Sequence, residues 1–294
     1  MLILLINLGR RPDRLEFMTA QLDALGLPFE RIEAIDGNSG DFGKDIPTVT
    51  AAERACALSH RKAWQHFLAS GQQRCLILED DVILSPALKP FLDNPGSIPR
   101  KIGLLRVETR LMRTRLGLPR GCGMRGFRLH RLRSTHFGTA AYVMSRAFAE
   151  AAVRDLTDFD NPVDHVLFAT DEDCFYPAEA YQLRPALGIQ VELVEPVANT
   201  AVAASDLERF RVTRFATITV RPPSRPKRSK LAKVVREIGR IPRNLRAMGK
   251  PAYEALATRS VWRDIPFAGP ILPAAIASLS VHRSEQAMQS EVPA

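Results

Sequence analysis

Three consecutive acids, Glu79-Asp80-Asp81, follow directly on the short apolar run Cys75-Leu-Ile-Leu78. Adjacent carboxylates repel one another and are most readily held together by a cation. Hard oxygen ligands of this kind suit Mg²⁺ or Mn²⁺, which can bridge onward to phosphate oxygens. The ordinary alternative is an acidic surface turn. Position favours the cation: the apolar run reads as a buried strand, and in open α/β sheets ligands bind outside the carboxyl ends of the strands.

Other segments carry weaker chemistry. Arg10-Arg11-Pro-Asp-Arg14 lies where a first strand hands over to a first helix, so arginines and free helix amides could face an anion together. The bland reading is a solvated helix start in which Asp13 pairs with a neighbouring arginine. Ser59 and His60 sit mid-helix, where neither improves helix propensity, and a structural histidine is the commoner outcome. Asp164 follows Asn161-Pro-Val and precedes Val166-Leu-Phe168. A carboxylate so placed could be a general base for an acceptor hydroxyl, or a plain helix N-cap. Asp171-Glu-Asp173 reads as a solvated acidic loop.

The elements that must position these groups alternate between strand and helix patterns, which predicts an α/β fold with a mostly parallel central sheet. Leu2–Asn7 reads as strand one. A helix opens at Pro12 and closes at Gly26, with Leu15, Met18, Leu22 and Leu25 on one stripe. Phe29–Ile35 reads as strand two, and a second helix runs from about Thr50 to Ser70 with Ala55, Ser59, Ala63 and Phe67 sharing a close-packing face. Further strands are expected at Ile102–Val107 and Ala140–Met144. Between Arg106 and Arg133 there are nine arginines, one acid (Glu108) and four glycines, a composition that predicts a long polar loop.

The net charge of +9 is uneven. Residues 1–204 hold 24 Lys/Arg and 25 Asp/Glu (24 − 25 = −1), and residues 205–294 hold 17 and 7 (17 − 7 = +10). The expected organisation is therefore a domain over 1–204 and a basic, partly helical extension over 205–294. The extension carries Leu231, Val234, Val235, Ile238, Leu245 and Leu256 among its cations, as a surface-lying amphipathic segment would. It predicts attraction to an anionic membrane surface, at about 1 kcal/mol per well-placed cation. The apolar start at Met1–Asn7 falls far short of the roughly 20 residues that span a bilayer. Cys56, Cys75, Cys122 and Cys174 form no CxxC pair, which fits reduced thiols and a cytoplasmic setting.

Taken together, Ile6-Asn-Leu-Gly-Arg-Arg-Pro-Asp-Arg14, Phe29-Glu-Arg-Ile-Glu-Ala-Ile-Asp-Gly37, Cys56-Ala-Leu-Ser-His60, Leu76-Ile-Leu-Glu-Asp-Asp-Val82, Gly138-Thr-Ala-Ala-Tyr142, Pro162-Val-Asp164 and Tyr181-Gln-Leu-Arg-Pro-Ala-Leu-Gly-Ile-Gln190 resemble glycosyltransferase family 25 in order and content. This is the lipopolysaccharide and lipooligosaccharide galactosyltransferase-like group, and the resemblance covers roughly residues 1–200. It implies a GT-A-like nucleotide-diphosphosugar transferase fold, an inverting mechanism, UDP-galactose as donor and Mn²⁺ (or Mg²⁺) as cofactor. By the same resemblance Asp81 and Glu79 hold the metal. Asn7, Arg10, Arg14, Ala34, Asp36, Ser59, His60, Glu79, Asp80 and Gln190 bind the donor, Asp164 is the base, and a glycolipid or oligosaccharide is the acceptor. Two departures stand out: Ala55 where the family has glycine, and Arg106-Val-Glu108 where it has Lys-Leu-Glu.

Two other function classes compete. The basic tail could bind nucleic acid, but Phe210, Phe215, Tyr253, Trp262 and Phe267 make no stacking pattern, so no nucleic-acid partner is expected. A phospho-receiver domain also ends a strand in acids, but there they follow the first strand and need a later lysine. Here about 75 residues precede them and no Lys occurs between 101 and 227.

Overall fold

The computed structural model of the protein describes residues 1–38, 49–94, 96–157, 159, 161–169, 180–194, 202 and 259–278. The chain opens with β1 (Leu2–Asn7), α1 (Pro12–Ala24), β2 (Glu30–Glu33), α2 (Ala51–Ala69) and β3 (Arg74–Glu79). It continues through β4 (Val82–Leu84), α3 (Leu88–Asp93), β5 (Leu104–Arg106), β6 (Glu108–Thr109), β7 (Thr114–Gly121), β8 (Arg128–Leu132) and β9 (Ala141–Ser145). The last elements are α4 (Arg146–Asp155), α5 (Val163–Phe168), β10 (Ala180–Arg184), β11 (Gly188–Gln190), a 3₁₀ turn at Val191–Leu193 and β12 (Ser260–Arg263).

Nine strands form one sheet in the order β12-β7-β8-β10-β5-β9-β3-β1-β2, and β4-β11-β6 form a second, three-stranded sheet. β1, β2, β3, β5, β7 and β10 of the large sheet run in one direction, while β8, β9 and β12 are reversed. The result is a mixed α/β architecture whose central sheet is mostly of one polarity. β1 shows why the centre is stable: Ile3 and Leu5 enter one buried cluster and Leu4 and Ile6 the other, so the strand is apolar on both faces.

Local chemistry fixes the two helices that flank the site. α1 starts on Pro12, where a missing amide costs nothing, and ends before Gly26, whose φ of +61° suits a residue without Cβ. α2 opens on a capping box: Thr50 Oγ1 accepts from the Glu53 amide and Glu53 accepts from the Thr50 amide. Ala55, Ser59, Ala63 and Phe67 are all buried, as their spacing predicts.

The arginine-rich stretch is not a loop. Residues 114–121 and 128–132 form the antiparallel pair β7-β8, which extends the sheet. Leu116, Leu129 and Leu132 are buried while the arginines between them are not, and this strand alternation is interrupted by Gly117, Gly121, Gly123 and Gly126. Residues 259–278 lie beyond the expected boundary at 204 yet join the same body. β12 pairs with β7, and Ile265, Ala268, Leu272 and Ala275 enter the buried clusters. The helical segments expected elsewhere in the basic extension, and the acids at 171–173, lie outside the described residues. No helix among the described residues is long and apolar enough to cross a membrane.

Candidate active site

The carboxyl ends of β1 and β3 lie side by side, because the two strands pair in parallel with Ile6 opposite Glu79. That register delivers the acidic turn to a cleft lined by Arg10, Arg14, Ala34, Asp36, Ser59, His60, Glu79, Asp80 and Asp81, nine of the expected donor and metal residues. Arg10 Nε donates to Asp36 at 2.7 Å, and Arg11 is paired with Asp13 at 2.8 Å, the pairing expected of a plain helix start. Ser59 Oγ donates to Ala55 O and accepts from the Ile35 amide at 2.8 Å, which ties the end of the β2 segment to α2.

Asn7 does not line this chamber. It is buried behind the acids, where Nδ2 donates to Asp80 at 2.7 Å and Oδ1 accepts from Arg31 at 3.0 Å. The other Asp80 oxygen accepts from Arg14 at 2.8 Å, so both oxygens of Asp80 are spoken for. Asp81 differs: Arg14 approaches one oxygen at 3.5 Å, while its buried Oδ1 has no hydrogen-bond partner among the described residues. Burial, reinforced by the Glu79 and Asp80 carboxylates, raises the Asp81 carboxyl to about 6 against the pull of Arg14.

Glu79 is held from two sides. Thr139 Oγ1 donates to it at 2.6 Å and His60 Nε2 lies 3.2 Å away. Trp64 donates to the Tyr142 hydroxyl at 2.8 Å, and that hydroxyl sits 2.9 Å from His60 Nδ1. Trp64 can only donate, so the consistent arrangement has Tyr142 donating to Nδ1 and His60 donating from Nε2 to Glu79. Burial pulls the Glu79 carboxyl upward, but His60, Thr139 and Arg14 outweigh it and hold its pKa below the ordinary value.

Two ligand sets for a metal can be weighed. Cys56, His60 and Glu79 offer atoms within 4.8 Å of one another. Burial and the surrounding carboxylates, however, keep the Cys56 thiol protonated, and both His60 nitrogens already have partners. The unpartnered Asp81 oxygen beside Glu79 fits a hard divalent cation better.

A second chamber opens on the far side of Glu79 and Cys56, which line both. Its walls include Arg110, Phe137, Thr139, Asp164, Gln190 and Glu192. Asp164 is not an N-cap, because Pro162 occupies that position; its carboxylate accepts from the Gly138 amide at 3.0 Å and the His165 amide at 2.9 Å. Gln190 reaches the chamber because β11 pairs with β4, and the next amide, Val191, donates to Asp81 O at 2.9 Å. Arg110 donates to Gln190 and pairs with Glu192 at 2.8 Å.

Beneath this chamber lies a polar cluster whose burial the sequence did not reveal, although Arg106-Val-Glu108 stood out as a departure from the family pattern. Arg106 and Glu108 are both fully buried and 3.2 Å apart. Arg106 donates to Phe137 O at 2.9 Å, and Glu108 accepts from the Ala140 amide at 2.9 Å. The pair thus pins residues 137–140, the strap that presents Thr139 to Glu79 and Gly138 to Asp164. Gly138 has φ +92°, and a Cβ there would meet Arg110 at 3.2 Å. Burial lifts Glu108 to about 7, and burial followed by Arg106 lowers His136 to about 3, leaving the imidazole neutral beside the guanidinium. Arg106→Met should destabilise the protein by about 3–5 kcal/mol, since it strands a buried acid and removes the donor to the Phe137 carbonyl. A fall in the urea midpoint at unchanged slope checks this. Glu108, the single acid among nine arginines, was the available signal.

Comparison with known proteins shows which family the sequence belongs to. A profile of glycosyltransferase family 25, described as LPS biosynthesis protein, matches residues 1–167. The lacto-N-neotetraose biosynthesis glycosyltransferase LgtB of Neisseria meningitidis serogroup A is 29% identical over 207 residues, 63% of this chain and 72% of that protein. The lipooligosaccharide biosynthesis protein lex-1 of Haemophilus influenzae is 29% identical over 180 residues, 56% of this chain and 57% of that protein. Among solved structures, a glycosyltransferase involved in glycosylation of the major capsid of PBCV-1 aligns over 72% of this chain and 98% of that one, with 14% identity and a TM-score of 0.36. With the match spanning more than half of its length, the chain belongs to glycosyltransferase family 25.

Proposed function

We propose that this glycosyltransferase moves a hexose, galactose, from a UDP-sugar to a hydroxyl of a lipooligosaccharide-type glycan, with inversion and with Mn²⁺ or Mg²⁺ as cofactor. The observation that carries the metal-dependent reading is the buried, unpartnered oxygen of Asp81 in the acidic turn, next to a residue shared by two chambers. The names of the relatives support the choice of acceptor, since LgtB and lex-1 are named for lacto-N-neotetraose and lipooligosaccharide biosynthesis.

In this reading the first chamber takes the nucleotide. Arg10 and Arg14 supply positive charge, the Ala34–Asp36 strand end supplies the wall, and Ser59 and His60 keep α2 and Glu79 in register. Asp81 and Glu79 would hold the cation, which when bound neutralises the leaving diphosphate. Asn7 and Arg14 fix Asp80 so that the turn cannot collapse onto the vacant oxygen of its neighbour. Asp164, across the second chamber, accepts the proton of the acceptor hydroxyl as it attacks from the face opposite the diphosphate. Gln190, expected at the donor, lines the second chamber rather than the first, and there it and Arg110 would orient the acceptor. The +10 charge of residues 205–294 would keep the enzyme at the inner face of the cytoplasmic membrane.

The test is transfer from UDP-galactose to a lacto-series acceptor, read with and without EDTA and with the product anomer assigned by NMR. Loss of transfer in EDTA, recovery with Mn²⁺ and a β-linked product support the proposal. Undiminished transfer in EDTA contradicts the metal assignment, and an α-linked product contradicts inversion.

A further inference from the structure

The second chamber sets exposed apolar side chains among its charged ones. Phe137 and Met112 line it together with Arg110, Asp164, Gln190 and Glu192. Phe137 is 44% exposed and Met112 51%, whereas Phe17, Phe67, Phe91 and Phe168 are buried in the core. An exposed phenyl ring in a polar chamber calls for a reason.

Phe137 is not exposed through slackness. Its carbonyl accepts from Arg106 Nη2 at 2.9 Å. Arg106 Nη1 lies 3.0 Å from His136 Nε2, and a guanidinium can only donate, so that nitrogen accepts and Nδ1 carries the proton. Nδ1 then donates to the same Phe137 carbonyl at 3.0 Å. The ring rests against His165, with centroids 5.1 Å apart and planes tilted by 46°. Two donors therefore fix the backbone and a neighbouring ring fixes the side chain, while nearly half of the residue faces solvent. Met112 is set by an unusual turn. Leu111 before it adopts a left-handed φ of +56°, which leucine rarely takes, and its amide donates to Thr109 Oγ1 at 3.0 Å. Strain of this kind persists where the surrounding structure dictates how a segment is presented. The same connection directs Arg110 to Gln190 and Glu192.

Apolar surface rimmed by hydrogen-bonding groups marks a site for a ligand of mixed chemistry. A pyranose matches it, because its ring C–H bonds form an apolar face and its hydroxyls radiate from the edge. The negative face of a phenyl ring attracts such polarised C–H bonds. An acyl chain matches it poorly, since it would strip water from Asp164, Gln190 and Glu192 and return no hydrogen bond. On the reading that the second chamber receives the acceptor, we propose that Phe137 is the plate on which a pyranose ring of the acceptor stacks, with Met112 as its adaptable apolar border.

Saturation-transfer NMR of the full chain with methyl β-lactoside, without donor, tests the plate. Saturating the aromatic protons of the protein should label the axial protons on one face of one sugar ring. In Phe137→Ala most of that labelling should be lost, and in Phe137→Trp it should return. The carbonyl of residue 137, not its ring, ties the strap to Arg106 and His136, so alanine keeps those bonds. Acceptor kinetics with UDP-galactose give a second readout. Phe137→Ala should raise the acceptor KM about five- to thirtyfold and lower kcat by less than about threefold, because stacking is shared by ground and transition states. Should the alanine variant fail to fold, Phe137→Leu keeps apolar bulk without the aromatic face and should still lose part of the labelling. Equal labelling of wild type and variants, or none of the wild type, overturns the proposal. Labelling that depends on Phe137 without transfer from UDP-galactose supports the plate and contradicts the donor. Transfer with an unchanged acceptor KM in Phe137→Ala overturns the plate and leaves the transfer reading intact.

Discussion

Asp81→Ala is expected to lower glycosyl transfer by about a thousandfold or more and, in metal-free buffer at neutral pH, to raise the melting temperature. The first effect follows if Asp81 holds the cation, because neutralising the leaving diphosphate contributes several kcal/mol, and about 4 kcal/mol is a thousandfold in rate. The second effect follows from the burial of the same carboxylate. Its pKa is raised to about 6 in the fold from an ordinary value of 3.8. Below the lower value the acid is protonated whether the chain is folded or unfolded, and it costs the fold nothing. As the pH rises through both values the unfolded chain ionises first, so the fold loses stability, with the full penalty above about pH 6. About two pK units correspond to roughly 3 kcal/mol, an upper figure that Arg14 and local relaxation reduce. The variant should therefore be inactive and more stable, and its melting temperature should show less decline from pH 4 to 7 than the wild type. A dead variant that melts earlier than the wild type would instead mark Asp81 as a structural acid.

Asp164→Asn carries the second large effect, a fall in kcat of about 10²–10⁴-fold with little change in donor KM. The amide keeps an oxygen that can accept from Gly138 and a volume that fits the same space, so the strap at 137–140 stays in place, while the bond from the His165 amide is given up because Nδ2 cannot accept it. What is lost is the capacity to take a proton. Hydrolysis of the donor by water should fall less than transfer to the sugar acceptor, because the loss lies in the second chamber. Near-normal transfer by the variant would remove Asp164 from the chemistry and direct attention to Glu79, the acid common to both chambers.

These assignments were legible in the sequence to unequal degrees. β1, α1, α2 and β3 have short-period patterns and local stop signals, and each appears within a few residues of its expected place. The acidic turn was legible because an apolar strand delivers it. The β7-β8 hairpin was not, since its partners are remote: β8 pairs with β10 some fifty residues later, and β12 reaches β7 from residue 260. Nothing local distinguishes an arginine-rich strand with glycines from a polar loop. The second chamber was hidden for the same reason. Thr139 meets Glu79, Gly138 meets Asp164 and Gln190 meets the acidic turn only after the sheet has assembled. Asn7 shows the opposite case, a residue expected at the donor whose side chain lies behind the lining of the first chamber and holds Asp80.

The most direct test of the central claim is uptake of Mn²⁺ followed by electron paramagnetic resonance, with wild type and Asp81→Ala each titrated in the presence of UDP. The signal of free Mn²⁺ should fall with added wild-type protein and remain with the variant, because the vacant carboxylate oxygen at Asp81 is the anchor. Equal uptake by the two proteins, or none by the wild type, would contradict an oxygen-ligated metal at this turn.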